Sequence, residues 1–252
     1  MLVNTQRRRC AALAAVLVLS LLMALSLRVV AAPEASVAEV ESNIVAHTNA
    51  FRRGQNLAPL TVDPHLKRAA ADFAAFMART GEYGHGAGGT TPAQRAERAG
   101  YAYCVIAENI GFQYSSAGFT TDALTAGFMQ GWRESPGHRR NMLKAGLTEI
   151  GVGVAQSAAS GRWYAVQLFG RPESRRESFS IRNATERPVT YRLGDAQYEL
   201  APRTIRTHST CTPATLRLRS PQGLRGTSLE PEDGAALRIE AGDDGRLRLR
   251  GR

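Results

Sequence analysis

The sequence predicts an α+β chain, with a mixed helical and sheet region over residues 37–172 followed by a small all-β module over residues 178–252. Three observations carry that expectation. Apolar residues recur at helical spacing in several segments between residues 37 and 143. Two strand-like runs, Glu149–Val154 and Trp163–Phe169, flank a Ser160-Gly161 turn. From Phe179 onward only short alternating runs remain, separated by turn residues. With 252 residues, 43% of them hydrophobic, the chain is long enough to bury a core in the larger part and a small one in the module.

The N-terminal stretch stands apart from this frame. Arg7, Arg8 and Arg9 precede an apolar run from Cys10 to Leu27, and small residues follow around Ala31 and Ala32. A basic start, an apolar middle and a Val-x-Ala end describe a secretory signal over residues 1–31, cut after Ala31 or Ala38 or else retained as an anchor. The expected location is therefore exported, in the periplasm, the cell envelope or the exterior, with membrane contact only through this segment. Losing it removes Arg7, Arg8, Arg9 and Arg28 and no acid, which lowers the formal charge from +10 to +6. Lys67 and Lys144 are the only lysines among 32 basic residues, a compositional bias toward arginine. No aromatic residues interleave with the bases, so nucleic acid is not an expected partner. A modest cationic surface outside the membrane suits anionic wall polymers or lipid headgroups. Two cysteines, Cys104 and Cys211, survive processing. In an oxidising compartment such a pair invites a disulfide between the two halves, but the distance that decides it is not readable from sequence.

Val37, Val40, Ile44, His47/Thr48 and Phe51 place a first helix over residues 37–54, closed by Gly54. Asp63-Pro64 caps and starts a second, whose apolar face is Leu66, Ala69/Ala70, Phe73, Phe76 and Met77 and which Gly81 ends; His65 in its first turn is expected in solvent. Glycines 81, 84, 86, 88 and 89 surround His85 in a loop without the spacing of a phosphate cradle. Thr91-Pro92 caps a third helix to Ala99. Tyr101–Ile110 reads as a strand with Glu108 inside an apolar frame, and a carboxylate there must be paired, hydrogen-bonded or bound to a cation. Asp122 begins a fourth helix through Ala126, Met129 and Trp132. Ser135 then caps a short helix with Pro136 at its first position and His138 at its third, where the positive end of the helix dipole favours a neutral imidazole. In the last third, Phe179/Ile181, Val189/Tyr191/Leu193, Tyr198/Leu200, Leu216/Leu218, Leu237/Ile239 and Leu247/Leu249 alternate as strands of a sandwich-like module. His208 and Cys211, three residues apart, are a weak metal pair.

Two histidines and one or two carboxylates on separate segments, His85, Glu108 and Glu134/His138, suit a zinc-type site with an open position, or a general base beside a metal-activated water. Sequence alone does not bring them together. The order Asn49-x-x-Arg52, Leu57-x-Pro59-Leu60, His85, Arg95, Gly100-Tyr101, Glu108-Asn109-Ile110, Trp132, Ser135-Pro-Gly-His138-Arg139, Asn141-Met-Leu143, Glu149-Ile-Gly-Val-Gly153 and Gln167-x-Phe169-Gly170 resembles the bacterial branch of the CAP superfamily, which unites cysteine-rich secretory proteins, antigen 5 and pathogenesis-related proteins. The resemblance runs from about Val37 to Gly170. It implies an α-β-α sandwich with helices on both faces of an antiparallel sheet, and a cleft with a tetrad of two histidines and two acids. By position these are His85, Glu108, His138 and, just past Trp132, Glu134, although a gapless alignment puts Ser135 at the last place. Ala107 replaces a glycine often found before the first acid, and Glu149 belongs to a structural motif.

The site residues expected to hold a divalent metal are therefore His85, His138, Glu108 and Glu134, with zinc the first expectation and magnesium or calcium the alternatives. Members of the superfamily have been credited with metal binding, lipid or sterol binding and occasional proteolysis, so the resemblance leaves activity open. No glycine-flanked serine elbow exists, and Cys104 sits in an apolar strand, a poor place for a reactive thiolate. The expected function is an exported non-enzymatic binding module serving a lipid, cell-wall or protein ligand. A metal-assisted peptidase or esterase and a protein whose tetrad is only a brace are the alternatives.

Overall fold

The computed structural model describes residues 34–218 and 227–251; the expected signal segment lies outside them. The first part is built from α1 (Val37–Arg53), α2 (Pro64–Thr80), α3 (Pro92–Arg98), α4 (Thr121–Glu134) and α5 (Pro136–Met142), with strands β1 (Thr61–Val62), β2 (Tyr103–Gln113), β3 (Glu149–Gln156) and β4 (Trp163–Pro172). The strands form one sheet in the order β1-β3-β4-β2. β2, β4 and β3 pair antiparallel, but the two-residue β1 pairs parallel with β3, so the sheet is mixed at one edge rather than wholly antiparallel. No described helix is long and apolar enough to cross a membrane.

Local chemistry sets the helix boundaries. The Asp63 carboxylate accepts from the amides of His65 and Leu66, Pro64 fills the first position, and Gly81 ends α2 in the left-handed conformation with φ 75°. Thr91 and Gln94 form a reciprocal capping box on α3. α4 is capped by Thr120, with Asp122 inside its first turn rather than before it. His65 is not simply solvated: its Nδ1 lies 2.9 Å from the carbonyl of Ala99 and ties α2 to the end of α3.

The sheet separates two apolar layers. On one face Val40, Ile44, Leu124, Phe128 and Trp132 pack against Ile150, Val152 and Phe169. On the other, Leu66, Ala70, Phe73, Met77 and Ala96 pack against Ile110, Tyr164, Val166 and Leu168. This is an α-β-α sandwich. Gly151 and Gly153 alternate with Ile150, Val152 and Val154 along β3, and the second face needs their bareness. A Cβ on Gly153 would sit 2.2 Å from the backbone nitrogen of Ala71, and one on Gly151 would sit 2.1 Å from the backbone carbon of Leu66. The obstacle is helix backbone, which has no rotamer to change. Gly153→Ala is expected to destabilise the protein by about 2–3 kcal/mol, read as a lower urea midpoint at unchanged slope. An unchanged midpoint would mean that α2 lies farther from the sheet.

The remaining strands are β5 (Glu177–Asn183), β6 (Val189–Leu193), β7 (Ala196–Leu200), β8 (Ile205–Thr210), β9 (Leu216–Leu218), β10 (Ser228–Leu229), β11 (Ala236–Ala241) and β12 (Leu247–Gly251). They make two four-stranded sheets, β12-β11-β5-β8 and β10-β9-β6-β7. Phe179, Ile181, Leu237 and Ile239 from one meet Tyr191, Leu193, Leu200 and Leu216 from the other in a third core. Cys104 and Cys211 form a disulfide with Cα atoms 5.3 Å apart, joining β2 to the segment after β8. The weak metal pair His208/Cys211 is thereby excluded. Cys211 is oxidised, and His208 is buried with its Nε2 2.6 Å from the Tyr191 hydroxyl.

Candidate functional site

β2 is an edge strand, so groups on its two faces can approach each other around its free edge. Glu108 faces α3. Its carboxylate, 1% exposed, lies between two cationic or donor groups: Arg95 Nη2 donates to Oε2 at 2.7 Å and His85 Nδ1 donates to Oε1 at 2.8 Å. Arg95 is itself held by the Thr90 and His85 carbonyls and stacks on Phe73, its guanidinium carbon 3.5 Å from the ring centroid. The buried acid expected from the apolar frame of β2 is therefore paired, and its partners come from α3 and the glycine-rich loop.

On the other face, Asn109 organises α5. Its Nδ2 donates to the His138 carbonyl at 3.1 Å and to Gln167 Oε1 at 3.0 Å, while its Oδ1 accepts from Asn141 Nδ2 at 3.0 Å. Asn141 also donates to the Glu108 carbonyl, and Gln167 donates to Thr48 on α1. Successive residues of one strand thus hold the two halves of the site, Glu108 carrying His85 and Asn109 carrying the backbone of His138. Ser135 occupies the N-cap of α5 but makes no capping hydrogen bond through its side chain, so Pro136 and the Asn109 contact locate this helix.

The two imidazoles are pushed in opposite directions. The hydrogen bond to Glu108 raises the His85 pKa above its ordinary value against the opposing effect of burial. Burial lowers that of His138, and the charge of His85 lowers it further. A carboxylate only accepts, so His85 must carry its proton on Nδ1; in the neutral ring that leaves the Nε2 lone pair free.

Glu134 does not join this group. It is exposed at the end of α4 and its Oε1 accepts from Gln130 Nε2 at 2.9 Å. Among the described residues no group of three or more His, Cys, Asp or Glu is disposed to hold a metal ion. The expected four-ligand set His85, His138, Glu108 and Glu134 is thus not gathered at one point. Both Glu108 oxygens are already engaged, and Glu134 points elsewhere. His85 Nε2 and the His138 ring make no hydrogen bond among the described residues, and Glu108 orients His85 through its Nδ1. The sequence places Arg95, Asn109, Asn141 and Gln167 in the ordered motifs but assigns them no roles. Gln167 had a readable signal, a polar residue inside the apolar run of β4; Arg95 had none beyond its place on a short amphipathic helix.

Residues 45–169 match the CAP domain, described as the cysteine-rich secretory protein family. Over these residues the chain belongs to the CAP family. The CAP chain is 30% identical over 137 residues to an uncharacterized protein of Bacillus subtilis, YkwD, covering 54% of this chain and 49% of that protein, and so spans about half the length of this curated relative. Solved structures similar to the CAP region include an extracellular SCP-domain protein from Bacillus anthracis, with 26% identity, TM-score 0.46, and coverage of 54% of this chain and 41% of that one. An outer surface protein from Borrelia burgdorferi shows 21% identity, TM-score 0.47, and coverage of 54% and 94%.

Proposed function

We propose that this CAP protein is exported and works as a non-enzymatic binding module. His85 and His138 hold a divalent cation, zinc in the first instance, which helps retain a lipid, cell-wall or protein ligand. The observation that carries the reading is the His85–Glu108–Arg95 chain. It aims one imidazole nitrogen away from the carboxylate, next to a second histidine kept neutral by burial. The same chain argues against the hydrolase alternative. A general base must reach water, and the Glu108 side chain is 1% exposed and already paired with Arg95 and His85. The signal-like N-terminus and the Cys104–Cys211 disulfide support export, since disulfides persist in oxidising compartments.

The test is calorimetric titration of zinc into metal-stripped protein beside a His85→Ala/His138→Ala double variant. Micromolar or tighter binding, about 8 kcal/mol or more, is expected in the parent and lost in the variant. Zinc must displace the proton that His85 retains because of its raised pKa. Affinity should therefore rise with pH, by about tenfold per unit for one proton released, and level off once His85 is neutral. Equal weak binding in both proteins would leave the histidines a structural brace only.

A further inference from the structure

Between α2 and α3, with Arg95 in its wall, lies a cavity of about 310 Å³. Its apolar lining includes Phe73 and Phe76, whose rings are nearly parallel at 10° with centroids 6.2 Å apart. Three arginines, Arg68, Arg95 and Arg98, one acid, Asp72, and Thr90 complete its polar lining. The arginines differ in what they have left to give. Arg95 is spent on Glu108 and its neighbouring carbonyls, so it supplies a wall and a positive field. Arg68 donates to the Ala99 carbonyl, and among the described residues neither Arg68 nor Arg98 has a carboxylate within 4.0 Å. The Gly88 backbone is pressed against Phe76, where a Cβ would come within 2.9 Å of the ring, so the loop that carries His85 also closes one side of the cavity.

A pocket at the lower end of the small-ligand range, apolar within and carrying a net positive charge at its polar lining, is complementary to a small amphiphilic anion. We propose that it binds a flat aromatic acid of about a dozen non-hydrogen atoms, with the carboxylate on Arg68 and Arg98 and the ring system against Phe76, since the Phe73 ring is already covered by Arg95. Asp72 opposes a polyanion, which keeps the ligand to a single anionic head. This site does not include the histidine pair and adjoins it through Arg95 and the loop that carries His85.

The test is titration of 2-naphthoate into the full chain, with 2-naphthalenemethanol as the neutral control and phosphatidylglycerol vesicles as a second arm. The acid is expected to bind at least tenfold tighter than the alcohol. Arg68→Ala/Arg98→Ala should reduce its affinity at least tenfold while leaving zinc binding unchanged, and Ala87→Phe should close the cavity to it. Equal binding of acid and alcohol, or undiminished binding by the double arginine variant, would overturn the proposal. So would binding to the vesicles with none to naphthoate. The arginine variant changes only exposed side chains, so the result stands even if Ala87→Phe fails to fold. Zinc binding can succeed or fail independently, which keeps this result distinct from the metal reading.

Discussion

Arg95→Ala is expected to destabilise the protein by about 3–5 kcal/mol, more than the loss of either histidine. The Arg95 side chain is 9% exposed and the Glu108 side chain 1% exposed, so removing the guanidinium leaves a buried carboxylate with His85 as its one remaining side-chain partner. The stacking on Phe73 and the bonds to Thr90 and His85 carbonyls are lost with it. By contrast, the His85 side chain is 53% exposed and its removal leaves the Arg95–Glu108 pair intact, so His85→Ala should cost about 1 kcal/mol or less. Chemical denaturation of the two variants measures the difference. Adding Glu108→Gln to Arg95→Ala should recover part of the loss, because the uncompensated charge goes with it. If Arg95→Ala and His85→Ala cost the same, or if the second substitution recovers nothing, Glu108 is not held as a buried charge and the proposed orientation of His85 loses its basis.

That prediction also marks how far the site was legible in the sequence. Glu108 announced itself as a charge in an apolar strand, and burial forced a partner on it. The partner was not legible, because Arg95 lies on another element and only tertiary packing brings α3 over β2. Glu134 failed for a local reason. It precedes the Ser135 cap by one residue, and the turn of the helix there sends it to Gln130 and solvent. The fold read more easily, since helix caps and strand alternation are local signals; Asp63-Pro64, Thr91-Pro92 and the β3–β4 hairpin lie where their residues place them. The parallel pairing of β1 was invisible, being two residues without alternation. So was the need for Gly151 and Gly153, which only the close approach of the α2 backbone imposes.

Replacing Cys104 and Cys211 by serine is expected to cost about 3–5 kcal/mol. The bridge spans a sequence separation of 107, and closing a loop of that order removes more entropy from the unfolded chain than a short loop would. For a chain of this size that corresponds to a fall in Tm on the order of 10 °C. The loss should not be uniform. The junction between β4 and β5 keeps the Arg171–Glu177 ion pair at 2.7 Å and the backbone bond from Glu173 to the Ala102 carbonyl. Beside the bridge, Gly146 still lies against Thr212. The core of Phe179, Ile181, Tyr191 and Ile239 is separate from the two layers around the first sheet, so it can open without them once the covalent tie is gone. Calorimetry with amide exchange tests both parts. The variant should unfold lower, and exchange should accelerate more over residues 177–251 than over β3 and β4. A reductant should reproduce the effect in the parent and do nothing further to the variant. An unchanged Tm, or acceleration spread equally over the chain, would mean that noncovalent contacts alone hold the last two sheets in place.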